Sequence, residues 1–144
     1  AEYRKRTLWT GIDAASVETL VYAVGDQTQV LQKANDGWQV PGRPDQQVNT
    51  TAVNDLLGVL AGLKVERYVA DKGADLKQYG LQPPQRTVVA RTRTGVTATL
   101  YLGNTEDGSK RVFARVLDPN RTDVFVLSEA DSQRLAKDLK NFVK

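Results

Sequence analysis

The sequence predicts an α+β domain in which antiparallel strands carry helices packed on one face. Three observations predict it. Strand-like runs come in pairs separated by glycine turns, apolar residues recur at three-and-four spacing in two stretches, and proline and glycine cluster where the period changes.

Taken in order, Val17 to Val24 and Thr28 to Ala34 read as strands flanking Gly25-Asp26-Gln27, a tight-turn composition that predicts a hairpin. Asn35-Asp36-Gly37 then turns the chain into Trp38-Gln39-Val40, a short third strand with Trp38 and Val40 on one face, ended by Pro41, Gly42 and Pro44. Val53, Leu56, Leu57, Leu60 and Leu63 mark one face of a helix over about Thr50 to Gly62, with Asn49, Thr50 or Thr51 as cap. Lys64 to Ala70 follows as a strand in which Val65, Arg67 and Val69 alternate with Glu66 and Tyr68. Asp75 to Tyr79 reads as one helical turn closed by Gly80, and Pro83 and Pro84 stop it from continuing.

The opening layout then returns. Thr87 to Thr94, Gly95, and Val96 to Leu102 repeat strand, glycine turn and strand; Arg111 to Leu117 and Asp123 to Leu127 add two more around a Pro119-Asn120 turn. A helix is expected to close the chain, capped by Ser128 with Asp131, striped by Leu135, Leu139, Phe142 and Val143, and ending in Lys137, Lys140 and Lys144. Two strand-rich halves, about 8–63 and 86–144, each ending in a helix and linked by 64–85, suggest a degenerate internal duplication.

Composition bounds the chemistry. The 144 residues are 40% hydrophobic and 26% charged, the proportions of one soluble globular domain able to bury about 68% of its unfolded surface without staples. With no His and no Cys there is no Ser-His-Asp triad, Cys nucleophile, thiolate or imidazole metal site, or imidazole switch near neutral pH. No cofactor or metal is expected. Twenty Lys and Arg against 17 Asp and Glu give a net charge of +3, but Arg4, Lys5 and Arg6 set against Glu2 supply +2 of it. A body carrying only the remaining +1 does not fit a dedicated nucleic-acid binder. No apolar run reaches the ~18 residues of a membrane span. The chain begins at Ala1 and contains no Met, which reads as a processed or excised fragment.

Candidate sites are few, and each has a structural reading beside the functional one. Tyr79 and Leu81, on a proline-flanked turn, suit a recognition loop, although a helix stop whose leucine packs inward explains them more simply. Trp38 suits ligand stacking or, more simply, a buried hub, while Trp9 pins the entry segment with Leu8 and Ile12. Arg91 and Arg93 share one strand face and Arg111 and Arg115 another, a basic sheet surface for phosphate or carboxylate-rich partners or for solvent. Asn104, Glu106, Asp107 and Gly108 lack the spacing of a calcium loop and read as a hairpin turn. The pairs Asp71 with Asp75, Asp13 with Glu18, and Asp118 with Asp123 occupy turn or cap compositions, so no catalytic residue is assigned. Ser109-Lys110 cannot cooperate from opposite strand faces, and Gly37, Gly42 and Gly73 lack phosphate-loop spacing.

Gly37-Trp38-x-Val40, Asp75-Leu76-x-x-Tyr79-Gly80-Leu81-x-Pro83, Leu100-Tyr101-Leu102-Gly103, Phe113-Ala114-Arg115 and Val124-Phe125-Val126, in that order, resemble a bacterial family known as domain of unknown function 4340. The resemblance runs from Leu8 to Val143, and its most specific part is Tyr-Gly-Leu-x-Pro. It implies a domain standing outside the cytoplasmic membrane behind an amino-terminal membrane helix, with some relatives auxiliary to ABC-type transporters, including gliding-motility systems. It assigns no catalytic residues. The expectation is therefore a noncatalytic extracytoplasmic domain that meets protein partners at the membrane, anchored only through a segment absent from this sequence. The alternative is an anion or small-ligand module using Arg91, Arg93, Arg111 and Arg115.

Overall fold

The computed structural model describes residues 12–13, 15–34, 37–70, 75–117 and 123–144. The expectations for Arg4 to Arg6, Trp9, Asn35-Asp36, Asp71, Gly73, Asp118 and Pro119-Asn120 lie outside them. Eight strands form one antiparallel sheet: β1 (Val17–Val24), β2 (Gln27–Ala34), β3 (Gly37–Gln39), β4 (Arg67–Ala70), β5 (Arg86–Thr92), β6 (Thr97–Thr105), β7 (Val112–Val116) and β8 (Val124–Val126), in the order β3-β2-β1-β5-β6-β7-β8-β4. Two helices accompany it, α1 (Thr50–Ala61) and α2 (Glu129–Leu135). The α+β expectation holds, with β1 and β5 paired at the centre and β4 carried across to the far edge beside β8.

Register explains which face is buried. Leu31 lies opposite Leu20, Leu20 opposite Ala90 and Ala90 opposite Ala98; in the next row Tyr22, Val88, Leu100 and Val116 line up. All eight are buried. Directly paired residues point to one side of the sheet, so these rows build a continuous inner floor. Helix α1 closes over it with Val53, Leu56, Leu57 and Leu60, each at most 1% exposed. Those apolar positions recur at three and four residues, and the Asn49 side chain accepts a bond from the Ala52 N–H at 3.3 Å to start the helix. Burying each such side chain stabilises the fold by about 1.5–3 kcal/mol, so this face dominates the packing energy. Leu63 and Val65 are also buried, which delays β4 to Arg67, where Tyr68 meets Phe125 edge-on at 6.2 Å.

The closing helix departs from the pattern. Sequence periodicity runs on to Val143, but α2 stops at Leu135, and after an extended stretch Leu139–Asn141 makes a single 3₁₀ turn. Tyr22 supplies the reason. Its hydroxyl, 1% exposed as a residue, donates to the Leu135 carbonyl and accepts from the Lys137 N–H at 2.8 Å. Those are groups a continuing helix would bond along its own axis. The last residues instead run beside the α1 entry, with Asn49 N–H on the Phe142 carbonyl at 2.8 Å and Lys144 N–H on the Gln47 carbonyl at 2.9 Å. Phe142 then packs against the Tyr22 ring, 5.1 Å between centroids.

Burial raises the Tyr22 phenol above its ordinary value of 10.0, against the opposing effects of the Lys137 N–H and Arg86. The neutral form is thus favoured in the folded state. Stability from this site is complete below pH 10 and falls as pH rises from there towards the folded value, because only the unfolded chain ionises freely. Tyr22→Phe is expected to cost about 1–3 kcal/mol in urea denaturation at pH 7 by removing two buried hydroxyl bonds, which leaves the Lys137 N–H and the Leu135 carbonyl only their mutual bond at 3.0 Å. It is also expected to flatten the loss of stability above pH 10; an unchanged alkaline slope would remove this account.

Candidate functional site

The proline-flanked turn lies on the sheet face opposite the helices. Residues Leu76–Tyr79 form a 3₁₀ turn started by Asp75, whose Oδ1 accepts from the Lys77 N–H at 3.1 Å. Gly80, at φ +71°, reverses the chain so that the Leu81 N–H reaches the Leu76 carbonyl at 2.9 Å. The turn then rests directly on β6. A Cβ at Gly103 would overlap the Tyr79 carbonyl oxygen, and one at Gly80 would overlap Asn104. Two glycines therefore let backbone meet backbone, which is why Tyr-Gly-Leu and Leu-Gly belong together although more than twenty positions apart. Beneath the turn, Leu81, Val124 and Val126 are buried outside the main core, and Tyr79 packs edge-on against Phe113 at 4.9 Å. Leu81 is thus a packing residue. Tyr79, half-buried, also walls a cleft of about 360 Å³ with Gln78, Asn104, Glu106, Asp107 and Phe113.

The four candidate arginines do not converge. Arg93 lies past the end of β5 and pairs with Glu18 at 3.3 Å; Arg111 precedes β7 and pairs with Glu106 at 3.4 Å. Arg67 holds the same Glu106 carboxylate from β4, a cluster that no spacing along the chain reveals. Arg91 and Arg115 remain on the outer face. Arg91 sits opposite Thr97, and Arg115 opposite Tyr101, four positions further along β6 and so about 13 Å away in the strand direction. The Arg115 guanidinium lies 5.2 Å from the Tyr101 ring centroid, and its Nε is buried without a hydrogen-bond partner.

The other candidates have structural partners. Trp38 is half-buried against the core and edges a polar groove of about 620 Å³ with Pro44, Gln46 and Gln47. The Asp13 carboxylate accepts from the Ser16 N–H at 2.9 Å in a turn. Glu106 and Asp107 share the Tyr79 cleft, but Glu106 is already held by two guanidinium groups. Among the described residues no three Asp or Glu side chains are grouped to hold a metal ion. No helix there is long and apolar enough to cross a membrane.

The family model of the Domain of unknown function (DUF4340) matches residues 38–144, and the chain belongs to that family. The match takes in the turn, its partner strand and both helices, while the β1–β2 hairpin precedes it. No curated protein matches the chain, and no solved structure does.

The glycine contact yields a paired expectation. Gly103→Ala should cost about 3 kcal/mol or more, because rigid backbone must yield to the new methyl group. Gly58→Ala, on the exposed side of α1 with open space around the new atom, should add about 0.5–1 kcal/mol. Denaturant midpoints of the two variants check both signs, and a tolerated Gly103→Ala would disprove the close crossing.

Proposed function

We propose that this DUF4340 domain is a noncatalytic protein-interaction domain standing outside the cytoplasmic membrane, the folded part of a membrane-anchored bacterial protein that serves a transporter or surface complex. The observation that carries the reading is the division of labour between the two sheet faces. The inner face is consumed by the core, whereas on the outer face of β1, β2, β5 and β6 no residue from Thr19 to Ala23, Thr28 to Gln32, Thr87 to Arg91 or Thr97 to Tyr101 that points outward is buried. Val30, Val21, Val89 and Thr99 form its middle row, a β-branched surface on rigid, fully paired strands. Such a surface presents shape at little cost in ordering on binding. The family resemblance supports the location and the kind of assembly. The duplication also finds support here, since Gly25 and Gly95, both at positive φ, turn matching hairpins on either side of the β1–β5 pair.

The full-length protein carrying this domain is expected to co-purify with other proteins from native membranes. A photo-crosslinker at Val89 on the outer face should trap a partner, and one at Asn54 on the exposed side of α1 should not. Recovery only as an isolated, freely soluble species would overturn the proposal.

A further inference from the structure

We propose that the outer sheet face docks an acidic protein segment, with Arg115 and Arg91 as its two charge anchors. This rests on the interaction reading above and names the chemistry of the partner. The outward positions within Thr19 to Ala23, Thr28 to Gln32, Thr87 to Arg91 and Thr97 to Tyr101, together with Arg115 of β7, include two arginines and no carboxylate; Glu18, at the register shift beside Arg91, is paired with Arg93. Elsewhere Arg67, Arg93, Arg111 and Arg134 each have an acidic partner. No carboxylate among the described residues pairs with Arg91 or Arg115. The face thus presents charge that no described carboxylate neutralises.

Arg115 is the better prepared of the two. Its guanidinium rests over the Tyr101 ring, which limits the freedom of the side chain, so less of it is lost when a carboxylate meets its fork of donors. Its Nε has already given up water without gaining an acceptor, which leaves the group donor-rich. Tyr101 lies directly opposite it, and Thr87 continues the same cross-strand row one strand further on. Arg91 stands two strands away, about 10 Å across and about 13 Å along, which puts the two anchors about 16 Å apart. A partner therefore needs carboxylates at about that separation.

The charge density selects protein over polyanion. Double-stranded nucleic acid carries a charge every ~1.7 Å, and two isolated cations match only a small part of such a field. The valine and threonine row between the anchors suits apolar and small polar side chains, as in ordinary protein interfaces. Four strands about 4.8 Å apart and about six residues long cover roughly 400 Å² in plan. That is half the ~800 Å² per partner of a standard interface, so the contact is weak and salt-sensitive.

The test is titration of the full chain with a deca-glutamate peptide, followed by backbone amide NMR at two salt concentrations, with heparin and inorganic phosphate as parallel probes. Shifts centred on Arg91, Thr97, Tyr101 and Arg115 are expected, weakening as salt rises. Arg91→Gln and Arg115→Gln should each lower affinity about two- to fivefold, multiplying in the double variant because the sites are far apart. Arg43→Gln, on the turn after β3, should change nothing, and unchanged urea midpoints will show that the variants fold. Shifts confined to Arg4–Arg6 or to the helices would overturn the proposal. So would saturation of the same residues by phosphate alone, or preference for heparin, which would make the face an oxyanion or polymer site. If the double variant co-purifies with the same membrane proteins as the unaltered chain, the charge anchors fail while the interaction reading stands.

Discussion

The two-sided character of the sheet depends on where the helical layer ends, and the buried hydroxyl of Tyr22 fixes that point. Tyr22 stands in the inner row with Val88 and Leu100, so its ring is committed to the core by strand register. A phenol in that position must find partners, since burying it unbonded would cost a few kcal/mol. It finds them at Leu135 and Lys137, ends α2 there, and turns the final residues back beside the start of α1. Helices, terminal turn and sheet are thereby locked on one side. Among the described residues the other side receives cover where the Tyr79–Leu81 turn crosses β6, because glycine at position 103 admits it there.

Much of this was legible in the residues, for reasons that also explain the rest. The hairpins followed from period-two runs around Gly25 and Gly95, whose positive φ values the turns require. Helix α1 followed from an uninterrupted three-and-four stripe and a good cap. Both signals are local. The closing helix was overextended because Leu135, Leu139 and Phe142 satisfy helical spacing, while the group that interrupts them lies more than a hundred positions earlier in the chain. Tyr22 carried a faint sign of this, a hydroxyl at a position whose neighbour two residues back, Leu20, is purely apolar.

The candidate site shows the same division between local and long-range information. Alternation placed Arg91 and Arg115 on strand faces, but adjacency in sequence grouped them with Arg93 and Arg111, which sit outside the strands and are paired with Glu18 and Glu106. Pairing depends on loop geometry, which has no period to read. Likewise the Tyr-Gly-Leu-x-Pro stretch drew attention as a recognition element, whereas its glycine and leucine serve a crossing with Gly103 that only the tertiary arrangement exposes. Residues bunched in a motif can be bunched because one backbone contact demands them.

An open sheet can recruit a partner along its edge or on its face, and here the edges are poor templates. β3 is three residues long and is followed at once by the tight Val40–Arg43 bridge. β4 has four residues, with its register against β8 shifted between Tyr68 and Ala70. Short, irregular edges of this kind discourage strand addition, which needs a longer row of free backbone groups. The outer face has the opposite properties: central strands paired on both sides, side chains in fixed rows, and two positive charges held apart by register with no carboxylate partner among the described residues. What the fold leaves available for recognition is therefore side-chain chemistry on a rigid plane, and binding strength there must come from complementary charge and shape, because the main chain has little hydrogen-bonding capacity left to offer.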